Sequence, residues 1–280
     1  MNLLNRALQR VEISEARTSQ LLGIFSVITY VFLYGPVILV AILSFTTETI
    51  PTFPPKGFTL NWYFNLFPPE PYNERIFSSL LESIQLGVIT AIITGAIGTL
   101  ASLGMVRNKF DSRWINSSNL RLFFILPIVI PWIVTAVAVL ILYGALDIVG
   151  NYSTLVIGHV LITLPFTILI VSAQLYGFDR SLEEAAMNLG ASRIRTFYEV
   201  TLPLIAPGIF AGMLFAFTLS FDNFTQTFFW ATRTETLPIV IFSSIERGYD
   251  PSINAISTLI VIFSLSIALI GERLSRRVLS

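Results

Sequence analysis

The 280-residue sequence predicts an all-α integral membrane protein with six transmembrane helices and both termini in the cytoplasm. Three observations predict it. Only 12% of the residues are charged, about half the share of an average soluble domain, too little to cover a soluble fold of this size. Six stretches carry no Asp, Glu, Lys or Arg: 18–47, 83–106, 122–146, 148–178, 200–221 and 251–271. Each can cross a bilayer, which takes about 20 predominantly apolar residues of helix. All are continuously apolar without strict alternation, which argues for helices and against the strands of a membrane barrel. A mean hydropathy of +0.75 agrees. The composition also excludes a disordered chain and a nucleic-acid binder of the basic-patch kind. With no cysteine, disulfides, thiolate metal sites and cysteine nucleophiles are excluded as well.

The elements follow in chain order. Residues 1–20 form a polar cytoplasmic segment. The first hydrophobic run is too long for a cleaved signal peptide and lacks a small-x-small cleavage site, so it is expected to remain as the first span. Residues 48–75, with Pro51, Pro54, Pro55, Trp62, Tyr63, Pro68, Pro69 and Pro71, are unlike a regular helix and suit an aromatic segment at the interface. The membrane region is placed at 21–272, with a distinctive loop at 179–203, and 273–280 is a cytoplasmic tail. Residues 223–250, interrupted by Arg233, Glu235, Glu246 and Arg247, suit a re-entrant or interfacial segment.

Basic residues set the orientation. Thirteen lie on one side: Arg6, Arg10, Arg17, Arg107, Lys109, Arg113, Arg121, Arg180, Arg193, Arg195, Arg273, Arg276 and Arg277. Four lie on the other: Lys56, Arg75, Arg233 and Arg247. The zero net charge of the whole chain is thus a sum over two faces, a positive cytoplasmic one and a negative external one. Acids on the external face can concentrate cations near it.

Enzymatic machinery is excluded by counting, and no catalytic residue is predicted. The only lysines, Lys56 and Lys109, follow Pro55 and Asn108, so there is no Gly-Lys for a phosphate-binding loop of the Walker A kind. The single histidine, His159, rules out a two-histidine zinc helix, and no metal site is expected. No Gly-x-Ser-x-Gly elbow occurs. His159 is expected to be buried and hydrogen-bonded to a neighbouring helix, with a proton relay as the alternative. Glu82 is expected at the water interface. Gly87, Ala91 and Gly95, and again Gly208, Gly212 and Ala216, recur every fourth residue, which lets helices approach closely.

The 179–203 loop is the most informative stretch. Ser181 and Glu184 fit a capping box, Leu182 to Leu189 fit a short helix, and Gly190 fits the left-handed residue that ends it. Ser192 then caps a second short helix whose apolar face holds Ile194, Phe197 and Val200, and Pro203 marks the return to the membrane. Ala185 and Ala186 make a low ridge able to sit in a partner's groove. Glu183 and Glu184 offer carboxylates to a basic partner.

Glu184-Ala185-Ala186, three residues, Gly190, nine residues, then Val200-Thr201-Leu202-Pro203 resembles the EAA motif of bacterial ABC importer permeases, with Val200 where isoleucine is usual. The resemblance spans the first helix to the end of the sixth. It implies the type I importer fold, with Glu183, Glu184, Ala185, Ala186, Gly190, Leu202 and Pro203 in the element that docks on the ATPase. It also implies four kinds of neighbour: a second homologous permease, two ATP-binding subunits that hold the ATP and magnesium, an external (periplasmic) solute-binding protein, and the bilayer. No cofactor of the chain's own and no nucleic acid is implied. Ser220-Phe221-Asp222-Asn223, Leu237-Pro238 and Pro251-Ser252-Ile253-Asn254-Ala255 resemble the second permease of spermidine/putrescine-type systems, with Asn223 in place of a second acid. That likeness implies a polyamine or similar small cation as solute, with Asp222 and Asn223 near its path. Relatives of the same kind carry thiosulfate, ferric iron, opines or phosphonates. An ion-coupled secondary carrier is disfavoured because the acids cluster at the ends of spans.

Overall fold

The computed structural model describes residues 2–50, 52–66, 71–107, 117–231, 234–247 and 251–279. Pro51, Pro68, Pro69, Lys109, Arg113 and Arg233 lie outside the described residues. Among those described, the chain is helical, with one isolated antiparallel bridge between Thr46 and Phe58. In chain order the helices are α1 (Asn2–Leu43), the single turn α2 (Asn61–Phe64), α3 (Pro71–Arg107), α4 (Ser117–Val129), α5 (Trp132–Ala145), α6 (Tyr152–Tyr176), α7 (Ser181–Asn188) and α8 (Arg193–Thr196). A π turn (Phe197–Thr201) leads into α9 (Leu202–Phe221), followed by α10 (Thr225–Trp230), α11 (Leu237–Arg247) and α12 (Ser252–Leu279).

Four runs are long and apolar enough to cross a bilayer: Thr18–Leu43, Glu74–Arg107, Tyr152–Tyr176 and Arg193–Phe221. The stretch 122–146, expected as one helix, is broken. Its two halves meet at an angle of 108° and make a fifth span only if counted together. The cause is Pro131, which sits with φ −53° and ψ 134° ahead of α5. Its ring fixes φ, it has no N–H to give, and it pushes the preceding residue away from helix. Hydropathy alone passes over such a break. The expected run 251–271 falls within α12, where Ser252–Ser266 is the shorter apolar stretch.

The structure divides into two units. The first comprises Met1–Glu70 and Ser244–Ser280. Here α12 packs on α1 and on α2. The loop after α1 is irregular, as its prolines predict, and is tied locally. Thr59 N–H donates to the Phe45 carbonyl at 2.6 Å, and the Trp62 indole N–H donates to the Thr46 carbonyl at 2.6 Å. The Ser44 and Tyr63 hydroxyls lie 2.6 Å apart. Lys56 pairs with Glu48 at 2.5 Å.

The second unit, Pro71–Ser243, holds the packed bundle. Its centre is α3, α6 and α9, each in contact with the other two. The small-residue stripes are where they meet. A β-carbon added at Gly95 would lie 2.5 Å from Met213 of α9, and one at Gly212 would lie 2.9 Å from Thr167 of α6. Close approach lets side chains bond across to backbone: Thr167 Oγ1 donates to the Gly212 carbonyl at 3.2 Å and Ser102 Oγ to the Ile168 carbonyl at 3.1 Å. One apolar cluster, Leu86, Val139, Tyr143, Leu155, Val156 and Trp230, joins α3, α5, α6 and α10. Another, Val171, Leu175 and Ile205, joins α6 and α9 near the 179–203 loop. The outward faces carry large apolar side chains, among them Leu100, Val129 and Phe210. Such a surface is stable against hydrocarbon or another subunit, not against water.

Candidate functional site

The 179–203 loop folds as a short helix, a sharp turn and a return. The predicted capping box does not form. Asp179 takes the role instead, its Oδ1 accepting the Ser181 N–H at 2.9 Å, and that bond holds its carboxyl below the usual carboxylate value. Gly190 ends α7 as expected, with φ +91°. Ala191 N–H reaches the Ala186 carbonyl at 3.1 Å and Gly190 N–H the Met187 carbonyl at 3.0 Å, the paired bonds of a Schellman stop. Ser192 Oγ then caps α8 by accepting the Arg195 N–H at 3.3 Å.

The second short helix departs from expectation. It does not stop before the membrane run but continues through the π turn into α9, so that Arg193–Phe221 is one long element. Pro203, near the start of α9, has no N–H for the preceding turn, and the backbone widens ahead of it. The inward positions shift accordingly. Thr196 and Thr201, five residues apart, are buried, whereas Ile194, expected on the buried face, is 73% exposed. Phe197 and Val200 are half-buried. Arg195 bonds Glu199 one turn on, at 2.9 and 3.0 Å.

The two glutamates of α7 part company. Glu184 is exposed, with Arg180 4.0 Å away, and Ala185, Met187 and Leu189 are open beside it, while Ala186 is half-buried. Glu183 does not offer its carboxylate outward, contrary to expectation. It is buried, and its Oε1 accepts from Arg107 Nη2 at the end of α3 and from Thr201 Oγ1 at the end of the π turn. Adjacent helical residues point about 100° apart, so if one faces out the other can face in. Leu202 and Pro203 begin α9, the first half-buried and the second exposed.

At the far end of α9, Asp222 and Asn223 also separate. Asp222 is exposed. Asn223 is 2% exposed, and both polar atoms of its amide are bonded. Its Oδ1 accepts the Gln226 and Thr227 N–H groups at 3.1 and 3.2 Å, capping α10, and its Nδ2 donates to Gln226 Oε1. An aspartate could cap in the same way but could not make that last bond, which gives the asparagine a local reason. In this structure Asn223 therefore holds the start of α10 in place.

His159 is fully buried among the same elements. Its Nδ1 lies 2.7 Å from Ser220 Oγ of α9 and its Nε2 3.0 Å from Thr227 Oγ1 of α10. Thr227 gives its own proton to the Asn223 carbonyl at 2.7 Å, so its oxygen is open to accept from an Nε2–H. Thr90, Thr94 and Thr163 extend this buried polar seam. The ring is a structural bridge, as the sequence predicts. Sequence reasoning missed the threonines around it, and missed Arg107 and Thr201 as the partners of Glu183. Six buried threonines on α3 and α6 (Thr90, Thr94, Thr99, Thr154, Thr163, Thr167) inside charge-free spans were the available signal, since hydroxyls in lipid seek partners. For Arg107 there was none beyond its place at a span end.

Residues 102–279 match the family described as "Binding-protein-dependent transport system inner membrane component". The chain is 30% identical to the spermidine/putrescine transport system permease protein PotC of Haemophilus influenzae over 254 residues, 90% of this chain and 95% of that one. It is 32% identical to the putrescine transport system permease protein PotI of Escherichia coli over 239 residues, 83% of this chain and 82% of that one. Among solved structures, it resembles a chain of a bacterial ABC transporter involved in the import of the acidic polysaccharide alginate. The TM-score is 0.71 at 16% identity, covering 97% of this chain and 99% of that one. It also resembles a chain of the MetNI methionine ABC transporter, with a TM-score of 0.62 at 16% identity over 75% of this chain and 99% of that one.

Proposed function

This chain belongs to the family of binding-protein-dependent transport system inner membrane components, and on that premise we propose the part it plays in import. It is a multi-pass bacterial inner-membrane permease and a transport component rather than an enzyme. It forms one half of a solute path, with six spans, α4 and α5 together making the third, and both termini in the cytoplasm. A second permease completes the path. Two ATP-binding subunits bind the ATP and magnesium and drive the cycle, and an external binding protein delivers the solute. Closure of the ATP-binding subunits moves the 179–203 loop and shifts the bundle from the inward-open to the outward-open state, the closed form of those subunits favouring the second.

The observation that carries this reading is the outward edge of α7. Glu184, Ala185 and Met187 stand open on a short helix stopped by the Gly190 turn, a low-relief surface that fits a groove. An arginine at Ala185 would fill that groove with a long charged side chain. Ala185→Arg is expected to strip the ATP-binding subunit from purified membranes while the permease itself accumulates normally. An ATP-binding subunit retained at wild-type level would overturn the docking assignment.

The solute is a polyamine or a similar small cation. The external acids and the permeases named above support this, and Asp222 is the residue placed nearest the path. A carboxylate about 4 Å from a cation in a watery mouth is worth roughly 1 kcal/mol, about fivefold in affinity. Asp222→Asn is therefore expected to lower putrescine uptake severalfold at low ionic strength, the difference shrinking as salt screens it. Equal uptake by both forms at low salt would remove Asp222 from the path.

A further inference from the structure

We propose that Glu183 is a positioning residue that locks α7 to α3 and to the start of α9, so that movement of the docking helix reaches the bundle through the Arg107–Glu183–Thr201 cluster. The inference rests on the docking role given to α7 above and goes beyond it by separating attachment from transmission.

The cluster has three parts from three places in the chain. Glu183 is the only fully buried residue of α7; the one apolar side chain turned partly inward is the methyl of Ala186, which is half-buried. The attachment of α7 is therefore mainly polar. It is a carboxylate, 7% exposed, held by the guanidinium at the last residue of α3 and by a hydroxyl that is itself 1% exposed. Arg107 ends a helix that packs against both α6 and α9, and Thr201 stands at the joint between the π turn and α9. One oxygen atom, Glu183 Oε1, thus bonds the docking helix to both.

A charge-assisted contact of this kind is directional. It resists sliding and rotation, where an apolar contact would tolerate both. The remaining links of α7 are local. Gly190 turns the chain with nothing within 4 Å of where a β-carbon would stand, and Asp179 caps with an exposed side chain. Without the Glu183 contact, α7 would remain tethered by its ends but could swing. A partner could then pull it without moving α3. The neighbour Glu184 faces outward and is free to meet that partner, so two adjacent acids divide the work: one meets the partner, the other holds the bundle.

The test uses the full transporter in cells, with radiolabelled putrescine as the probe, and reads two quantities separately: the ATP-binding subunit retained on purified membranes, and uptake. Glu183→Gln keeps the size and removes the charge. It is expected to retain the ATP-binding subunit while uptake falls roughly tenfold, within the range by which residues linking two sites alter their coupling. Thr201→Val is expected to lower uptake less, again with the subunit retained. The exchange R107E/E183R reverses the pair and is expected to regain at least threefold over Glu183→Gln. The proposal is overturned if Glu183→Gln releases the subunit as Ala185→Arg does, which would make Glu183 a docking contact, or if its uptake is normal. It is also overturned if the exchanged pair accumulates in the membrane and regains nothing. Should Glu183→Gln fail to accumulate, Thr201→Val and the exchanged pair decide by the same criteria. Failure of the docking assignment is a different result, an Ala185→Arg chain that still holds the subunit.

Discussion

Replacing Gly158 with valine is expected to displace Trp230 and lower the stability of the membrane bundle by about 1–3 kcal/mol, the range for overpacking a filled core. A β-carbon at Gly158 would lie 2.5 Å from the indole ring, nearer than real β-carbons come. The ring cannot yield cheaply. It is 1% exposed, its N–H donates to the Ala136 carbonyl at 2.8 Å, and it stands edge-on to His159. Moving it disturbs the contact between α10 and α5 together with the His159 bridge to α9 and α10. The measurements are thermal unfolding of the purified chain and its tryptophan emission. A melting temperature and emission equal to wild type would refute the expectation. Gly144→Ala is the control. It sits in a helix with nothing within 4 Å of the added carbon, so it is expected to be neutral or to stabilise by up to about 1 kcal/mol.

Replacing Gly190 with valine is expected to reduce uptake about tenfold with the chain still present in the membrane. The cause is backbone conformation alone. At φ +91° an ordinary L-residue is strained, by roughly 1–2 kcal/mol for the left-handed region and more when it is β-branched, and 1.4 kcal/mol is a tenfold shift in an equilibrium. Nothing within 4 Å opposes the β-carbon, so the packed bundle is untouched. Valine relieves the strain by leaving the Schellman turn, which redirects α7. Asparagine tolerates the left-handed region. Gly190→Asn is therefore expected to retain at least half of the uptake, and an asparagine variant as inactive as the valine one would point to the missing side chain rather than the turn.

Much of the molecule is legible in its sequence because lipid leaves few options. A buried backbone must satisfy itself, so charge-free runs near 20 residues become helices, and α1, α3, α6 and α9 follow. The Gly190 turn and the Ser192 cap are equally legible, since each depends on residues within a few positions. The misreadings have the same cause in reverse. Hydropathy reads 122–146 as one run because it does not register that Pro131 interrupts the hydrogen-bond ladder. The spacing of Ser181 to Glu184 suggests a capping box, but Asp179, two residues before Ser181, takes the Ser181 N–H. An α-helical period puts Ile194 on a buried face, and the π turn changes the period.

At the candidate site, residues within and beside α7 dictate that the helix exists, where it stops, and that two acids stand on it. Local backbone preference suffices for all three. Which acid faces inward depends on packing against distant parts of the chain. Glu183 and Glu184 differ by one step of the helix, and nothing in their own neighbourhood favours either. The choice follows from where α3 ends, 76 residues earlier, because a buried carboxylate is tolerable only where a cation and a hydroxyl meet it. Likewise Asp222 and Asn223 are adjacent in the chain and opposite in exposure, because the α10 backbone needs one cap and takes it from the residue that the fold turns toward it.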